Sequence, residues 1–299
     1  MKMRSPAGML LFLVFLSLQA CAPPNYPSLW KSRDAKLHKT FVDALRREFK
    51  GDFWQGIAEK RIGIVLVDIT DLKRPRVAEF NGDDMLYAAS LPKIAILLGA
   101  LVEVERGKLE LDDELRAALT RMIRESSNED ATVVLNRVGF ENLAKILRSR
   151  RYRLYDPAHN GGLWVGQDYG GGKAWRRDPL HDISHGATAM QTARFYYLAV
   201  TGRLLEPRQN DALLEILSRP AIEHKFVKGL EAANPEATIY RKSGTWRHYH
   251  ADSGIVVADN YSYIIVAITR DPRGEKVLER LIVAVEETMR RRHGEQAEH

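Results

Sequence analysis

The chain has 299 residues, with 45 Lys and Arg against 39 Asp and Glu, which gives a formal net charge of +6. Apolar types make up 45% and charged types 28% of the residues, so the composition excludes a collagen, a disordered protein and a polytopic membrane protein. The single cysteine excludes a disulfide framework and a cysteine-based zinc site, and the mild positive charge is too weak to indicate nucleic-acid binding.

The N-terminus carries the pattern of an export signal. Lys2 and Arg4 precede an apolar run over residues 9–18. The run is shorter than the roughly 20 residues that a membrane-spanning helix needs, and a charged start followed by a short apolar run is typical of a secretory signal peptide. We therefore predict a signal peptide over residues 1–20 that is removed from the mature protein.

The apolar run ends in the letters LQAC, and the last letter is Cys21, the single cysteine of the chain. This ending resembles the lipobox of bacterial lipoproteins, which implies a diacylglycerol group on the Cys21 thiol; an ordinary signal peptide followed by a chance cysteine is the alternative. The lipobox interpretation makes residues 21–33 a lipid-anchored tether and residues 34–299 the folded domain. It predicts a periplasmic or cell-envelope protein, with the outer membrane favoured.

The first part of the domain predicts one helix, two strands and then a block of helices. Apolar residues recur every four positions over 34–50, which predicts an amphipathic helix that Gly51 ends. Strands are predicted over 61–70, which is apolar and β-branched, and over 76–80, which follows a short turn. Seven helices follow, over 90–106, 112–124, 128–138, 140–149, 188–201, 208–218 and 221–230.

The segment from 153 to 186 shows no periodicity and is rich in glycine. A loop of this length inside a compact domain is usually functional or mobile. Its stretch 161–172 and the large aromatic residues Trp164, Tyr169 and Trp175 predict a lid over a cleft, because such side chains rarely lie in pure solvent. A floppy surface loop is the alternative.

The C-terminal part of the chain predicts three strands and a last helix. The strands, over 237–246, 249–258 and 261–270, are joined by short turns, and the helix covers 274–292. Sequential strands that are joined by short turns pair antiparallel. We therefore predict an α+β fold with one five-stranded antiparallel sheet, flanked by the terminal helices, and with the helical block as a second lobe.

Ser90 and Lys93 form the first of three motifs that carry chemistry. A serine hydroxyl is a poor nucleophile without a nearby base, and a lysine three residues later lies on the same face of a helix. Burial among apolar neighbours would lower the pKa of the Lys93 amine and make it such a base. Ser90 alone is also explained as a helix N-cap.

The second motif is Ser-Ser-Asn at 126–128, between two predicted helices. Its hydroxyl could pass a proton to a leaving nitrogen and its amide could hold a substrate amide, although helix capping explains the same residues. The third motif is Lys-Ser-Gly-Thr at 242–245, on a predicted strand. Its lysine and hydroxyl groups suit a carboxylate, and its glycine allows a ligand to come close.

In this order, S-x-x-K, S-x-N and K-[ST]-G are the signature of the serine β-lactamases and penicillin-binding proteins. The chain resembles this superfamily over residues 34–292, and the resemblance is closest to the class A β-lactamases. It implies an acyl-enzyme mechanism that needs no cofactor and no metal. It also implies these roles: Ser90 as the acylated nucleophile, Lys93 as an assisting base, Ser126 as proton relay, Asn128 as holder of the substrate amide, Lys242 and Ser243 as the carboxylate site, and the N–H groups of Ser90 and Thr245 as the oxyanion hole.

Class A enzymes release the acyl group with a water that the glutamate of an E-x-x-L-N motif activates. The nearest match is the run Asp-Pro-Ala-His-Asn at 156–160, in which an aspartate replaces the glutamate and a histidine replaces the leucine. The resemblance makes Asp156 the candidate deacylating base, so that Asp156→Asn would trap the acyl adduct; a plain Asx turn is the alternative. Without Asp156 as the base, hydrolysis of the acyl-enzyme is expected to be slow.

Three functions are compatible with these residues. The first is a β-lactamase-like serine hydrolase that is acylated on Ser90 and hydrolyses the amide of a β-lactam. The second is a D-alanyl-D-alanine carboxypeptidase-type penicillin-binding enzyme with slow deacylation, and the third is a non-catalytic cell-wall-binding lipoprotein. The expected partners are a β-lactam or a D-Ala-D-Ala peptide and, through Cys21, a membrane, with no nucleic acid.

Overall fold

A five-stranded antiparallel sheet runs through the molecule, which the computed structural model describes over residues 26–171 and 174–294. The predicted signal peptide and Cys21 lie outside the described residues. One edge of the sheet is formed by the strand that carries the third motif, so that strand has a free side. In spatial order the strands are Arg76–Phe80 (β2), Ile62–Asp68 (β1), Ser262–Arg270 (β10), Tyr249–Val257 (β9) and Thr238–Trp246 (β8).

Helices cover both faces of this sheet and build the second lobe. Among the described residues, no helix is both long and apolar enough to cross a membrane. The helices are Ala35–Glu48 (α1), Gly51–Ala58 (α2), Lys93–Glu105 (α3), Asp113–Arg124 (α4), Asn128–Val138 (α5), Phe140–Arg148 (α6), Ala189–Val200 (α7), Pro207–Leu217 (α8), Phe226–Ala233 (α9) and Gly274–Gly294 (α10). Short strands are Leu86–Tyr87 (β3), Tyr155–Asp156 (β4), Gly161–Gly162 (β5), Trp164–Val165 (β6) and His185–Ala187 (β7).

The sheet is buried on both faces, which explains why β1 is apolar along its whole length. Ile64 and Leu66 belong to the core that α1, α9 and α10 share with one face of the sheet. Val65 and Val67 belong to the core on the other face, which contains α3, α7 and the second lobe. The predicted α+β fold, with its five-stranded antiparallel sheet, terminal helices and helical lobe, is confirmed.

Several helix boundaries differ from the sequence prediction, among them the start of the helix expected over 90–106, which begins at Lys93. Gly51 was expected only to end a helix, but it begins α2, because Lys50 is extended and interrupts the chain between α1 and α2. The ring of Phe53 then stacks on Phe49 with 4.0 Å between centroids, which fixes the second helix. The helix expected over 221–230 begins later, with α9, because Lys225 adopts a positive φ of 54° directly before it.

The segment over 153–186 is more ordered than its composition predicts. Gly161 and Gly162 have positive φ angles and form the short hairpin of β4 and β5. Trp164 is 1% exposed, and its ring lies 6.3 Å from that of Trp175. Part of this segment therefore belongs to the core of the second lobe.

Candidate active site

A cavity of about 720 Å³ opens beside Ser90, between the free edge of β8, the start of α3 and the segment from β6 to β7. Its volume is typical of sites for small molecules. The wall includes Ser90, Asn128 and Thr245 from the three motifs, the aromatic residues Tyr87, Tyr169, Trp246 and Tyr249, and the polar residues Gln167, Asp168, Arg177, Asp182, Ser184 and His185.

Ser90 lies in the turn that leads into α3 and is partly exposed to the cavity. The backbone of β8 passes directly beside it. A Cβ atom on Gly244 would lie 2.8 Å from the nitrogen of Ser90 and would also clash with the carbonyl oxygen of Ala88, so only glycine fits here. This close approach brings the backbone of Ser90 next to that of Gly244 and Thr245, as an oxyanion hole made of the Ser90 and Thr245 N–H groups requires.

Lys93 is the first residue of α3, and its side chain is fully buried. Its Nζ donates to the carbonyls of Ser126 (2.6 Å) and Ser127 (3.1 Å) and to Oδ1 of Asn128 (2.8 Å). Burial lowers the pKa of the Lys93 amine from 10.5 to about 7. The neutral amine is therefore accessible near neutral pH, and it can take a proton from Ser90 once Nζ exchanges one of these acceptors for the Ser90 hydroxyl.

Ser126 connects the two lysines of the motifs. Its carbonyl accepts a hydrogen bond from Lys93, and its Oγ accepts one from Nζ of Lys242 at 2.9 Å. Because Oγ accepts from Lys242, the proton of the Ser126 hydroxyl is free to point toward a substrate. Ser126 has a left-handed φ of 63°, a conformation that costs about 1–3 kcal/mol and is concentrated at functional sites.

Lys242 lies on β8 and is fully buried, so it does not itself line the cavity and reaches toward it only through its hydrogen bond to the hydroxyl of Ser126. Its Nζ also donates to the carbonyl of Ser243, which is itself buried, at 2.7 Å. Burial and then the positive charges of Lys93 and Arg241 hold the pKa of the Lys242 amine well below its usual 10.5. A carboxylate that approached Lys242 would favour the protonated amine, so the surroundings of Ser126 and Lys242 suit a negatively charged ligand.

The structure does not bring Asp156 to this cavity. Asp156 forms an ion pair with Arg153 and accepts a hydrogen bond from the N–H of Ala158 at 3.0 Å, which is the Asx turn that the sequence left open as the alternative. It lines a separate cavity, and the two cavities share no lining residue. The dipeptides Asp-Pro and Asn-Gly favour a local turn wherever they occur, so the partial match to E-x-x-L-N carried no information about position in the fold.

Tyr169 covers Lys93 on the cavity side. Its ring centroid lies 4.5 Å from Nζ of Lys93, and its hydroxyl donates to the carbonyl of Ala89 at 3.3 Å. The neighbouring Asp168 also lines the cavity, and its Oδ1 is buried without a hydrogen-bond partner among the described residues. The segment predicted as a lid therefore forms a side wall of the cavity, and it supplies the aromatic ring that is packed against the candidate base.

A buried lysine behind the third motif was not predicted from the sequence. Lys225 precedes α9, and its Nζ donates to the carbonyl of Gly244 and to Oγ1 of Thr245, both at 2.7 Å. Burial lowers the pKa of Lys225 to about 8. Lys225 thus positions the end of β8 that runs past Ser90. No sequence pattern indicated it, because only the folded chain brings residue 225 to this strand.

Arg241 and Asp252 form a buried ion pair beneath the same strand. Nε and Nη2 of Arg241 each donate to a different carboxylate oxygen of Asp252 at 2.8 Å. Asp252 also accepts hydrogen bonds from two backbone N–H groups at 3.0 Å. This carboxylate partly offsets the positive charges of Lys225, Arg241 and Lys242, which all lie within its electrostatic reach.

The lining residues of the cavity, together with the buried residues hydrogen-bonded behind them, offer alcohol, amine and amide groups for chemistry. Ser90 can attack an electrophile, the Lys93 amine can take its proton, and Ser126 can donate one to a leaving group. Across 26–171 and 174–294, no group of three or more His, Cys, Asp and Glu side chains is arranged to hold a metal ion. The arrangement suits covalent catalysis on a substrate that carries a carboxylate.

Comparison with known proteins gives one family and one fold. The chain matches the beta-lactamase enzyme family over residues 52–118 and 114–288. No curated protein matches it. Among solved structures, that of PBP-A has a TM-score of 0.66 at 16% sequence identity, and the similarity covers 89% of this chain and 100% of PBP-A.

Two further structures have the same fold. A point mutant of PBP-A, in an acyl-enzyme complex with penicillin G, has a TM-score of 0.66 at 17% identity, covering 89% of this chain and 99% of that one. A beta-lactamase from Sphaerobacter thermophilus has a TM-score of 0.62 at 16% identity, covering 81% and 97%. The family match spans most of the sequence, and the three motifs converge beside one cavity. The chain therefore belongs to the beta-lactamase enzyme family.

Proposed function

We propose that this protein is an active-serine enzyme that is acylated on Ser90 by a β-lactam or by the amide of a D-Ala-D-Ala peptide. The observation that carries this proposal is that Ser126 joins both lysines, since its carbonyl accepts from Lys93 and its hydroxyl accepts from Lys242, while Ser90 and Thr245 line the adjoining cavity. Family membership alone does not establish the reaction, because one fold hosts many functions. The intact set of nucleophile, buried amine and second hydroxyl supports catalysis over a purely binding role.

The proposed acylation step gives one role to each of these groups. Oγ of Ser90 attacks the carbonyl carbon of the substrate while its proton passes to the amine of Lys93. The N–H groups of Ser90 and Thr245 hold the oxyanion. When the C–N bond breaks, the hydroxyl of Ser126 gives its proton to the leaving nitrogen, and the Lys93 ammonium restores that proton. Lys242 holds the substrate carboxylate.

Release of the acyl group is the step that separates the two enzyme hypotheses. In the described residues no carboxylate hydrogen-bonds to Lys93, and the ring of Tyr169 covers the amine. This favours a long-lived acyl-enzyme and therefore a penicillin-binding enzyme of carboxypeptidase type. β-Lactam hydrolysis remains the second candidate, supported by the unpartnered Oδ1 of Asp168, which could hold a water in the same cavity.

Mass spectrometry of the full-length chain in detergent, incubated with benzylpenicillin, tests acylation. We expect one penicilloyl adduct on the peptide that contains Ser90, no adduct on Ser90→Ala, and an unchanged adduct on the matched control Ser218→Ala. Unlabelled wild-type protein would contradict the proposal and leave a non-catalytic wall-binding role. A persistent adduct supports the penicillin-binding hypothesis, to be followed by assays on an acyl-D-Ala-D-Ala peptide, whereas steady ring opening supports the β-lactamase.

Substitution of each of the two candidate carboxylates should have a different effect on the lifetime of the acyl adduct. If the protein hydrolyses β-lactams, Asp168→Asn should lengthen that lifetime by about tenfold or more, because it removes the carboxylate that can activate a water in the cavity. In a penicillin-binding enzyme, whose adduct is already long-lived, the same substitution should leave the lifetime almost unchanged. Asp156→Asn should leave it unchanged, because Asp156 lines the other cavity. The decay of the adduct mass after removal of free penicillin measures both. A longer lifetime in Asp156→Asn alone would reverse the assignment.

The rate of acylation should rise with pH through about 7. The protonated amine of Lys93 cannot accept the proton of Ser90, and its pKa is about 7, so the reactive fraction grows as pH increases through that value. The charge of Asp130 raises this pKa, so Asp130→Asn should move the midpoint to lower pH. Second-order acylation rates between pH 5 and 9 measure both midpoints, and a rate that fell across pH 7 would exclude neutral Lys93 as the base.

The cellular location is a proposal from sequence alone. The letters LQAC ending at Cys21 support lipid attachment to the cell envelope. Two or three acyl chains hold a protein firmly on a membrane. Metabolic labelling with a palmitate analogue, with Cys21→Ala as the unlabelled control, tests the attachment.

A further inference from the structure

A second cavity, of about 270 Å³, lies where the N-terminal segment crosses α7 and the chain that follows α6. One wall is the segment over 26–30, the first part of the chain that the structure describes. The opposite wall carries Arg153, Arg194 and Arg203 together with Asp156. None of these residues lines the cavity around Ser90, so the second cavity has no part in the acylation chemistry.

Two of the three guanidinium groups, those of Arg194 and Arg203, are held by contacts that leave N–H donors unused. Arg194 donates through Nη1 to the carbonyls of Tyr152 (2.5 Å) and Arg153 (2.9 Å), and its Nε and Nη2 donate to no described residue. Arg203 donates through Nε alone, to Thr201 at 3.0 Å. The backbone and hydroxyl contacts therefore orient both side chains while unused N–H groups remain on each.

Aromatic rings form a further part of the wall and pack against these side chains. The guanidinium of Arg203 lies 4.9 Å from the ring centroid of Tyr26 and 5.3 Å from that of Tyr197. The ring of His159 stacks on Trp30 with 3.8 Å between centroids. Rigid rings of this kind reduce the entropy that the arginine side chains would lose when they bind a ligand.

The charges in this cavity are not balanced by the protein. Asp156 is engaged with Arg153, so three cations face one carboxylate. Burial, followed by the charges of Arg153 and Arg203, lowers the pKa of Arg194 to about 10. An anion of charge about −2 would neutralise the group, and guanidinium forks match the oxygens of a phosphate.

We propose that this second cavity is a binding site for a phosphate group. Two sources share this chemistry: the headgroup of an anionic phospholipid and a free phosphate ester. Tyr26 follows Cys21 so closely in the sequence that the chain between them spans at most about 17 Å, so a lipid on Cys21 would hold the cavity close to the headgroups. The phosphate site itself follows from the arginine cluster and does not depend on the lipid anchor or on the activity of Ser90.

Calorimetry on the full-length chain in a neutral detergent tests the site with glycerol 3-phosphate. A second set of measurements records binding of the protein to vesicles of phosphatidylcholine, with and without phosphatidylglycerol. We expect binding that falls about tenfold or more in Arg194→Gln and in Arg203→Gln, because each loses charged hydrogen bonds to the phosphate. Arg208→Gln, an exposed arginine on α8, is the matched control and should bind as the wild type does.

The two arms also identify the source of the phosphate. Binding to glycerol 3-phosphate that is sensitive to Arg194 and Arg203 supports a free ester, and binding confined to vesicles with phosphatidylglycerol, with the same sensitivity, supports a lipid headgroup. Arg194→Gln could lose binding because it unfolds, since Arg194 holds two backbone carbonyls. Arg203→Gln keeps the test valid, because the guanidinium of Arg203 contacts no backbone carbonyl among the described residues. Absence of binding in both arms, or equal losses in Arg208→Gln, would overturn the proposal.

Discussion

Lys93→Ala should slow acylation of Ser90 by a penicillin about a thousandfold, because positioned general bases contribute on the order of 10²–10⁴ to a rate. The amine is buried and has a pKa of about 7, so in the wild type a large fraction is neutral at physiological pH. No other described side chain hydrogen-bonds to the carbonyls of Ser126 and Ser127, so none stands ready to replace the amine. A time course of labelling with a fluorescent penicillin measures the rate.

The control for Lys93→Ala is Lys228→Ala, which removes an exposed lysine on α9. Its labelling rate should match that of the wild type. Thermal unfolding of both variants shows whether loss of the buried amine has altered the fold. If Lys93→Ala retains its fold and labels at a rate close to that of the wild type, another group takes the proton of Ser90 and the assignment of Lys93 is wrong.

The chemistry of the site was predictable where it depends on residue type and local spacing. Ser90 and Lys93 lie within one turn of each other in the sequence, so their proximity needs no knowledge of the fold. The strand that carries the third motif and its pairing were equally predictable, because short turns between apolar runs determine antiparallel pairing. The convergence of the three motifs came from the resemblance to the family and not from the residues alone.

Contacts between segments far apart in the chain could not be predicted where no sequence motif marks either segment. Lys225 reaches Gly244 only because α9 packs behind β8, and a single lysine before a helix carries no signal of that contact. The letters around Asp156 could not show which cavity it lines, because a local turn and a catalytic loop use the same residue types. Tyr169 was expected near the cleft as part of a lid, but its packing on Lys93 depends on the path of the loop between β6 and β7.

Asp252→Ala should reduce the free energy of unfolding by about 3–5 kcal/mol, which is the range for breaking a buried ion pair from one side. Arg241 and Asp252 have side chains that are 2% and 0% exposed, so the variant leaves a guanidinium buried without its counter-charge. Lys225 and Lys242 lose the same nearby carboxylate, whose charge raises the pKa of both. Urea unfolding followed by circular dichroism measures the change.

Asp52→Ala is the matched control, because Asp52 forms an exposed ion pair with Arg273, with side chains 73% and 68% exposed. Its loss should cost less than about 1 kcal/mol. Acylation should also weaken in Asp252→Ala even under conditions where the protein stays folded, since a lower pKa of Lys242 reduces its charge toward the substrate carboxylate. Equal stability losses in the two variants would mean that the cations behind β8 are solvated rather than buried. The positive charges of Lys225, Arg241 and Lys242 would then be stabilised by solvent and not by the carboxylate of Asp252.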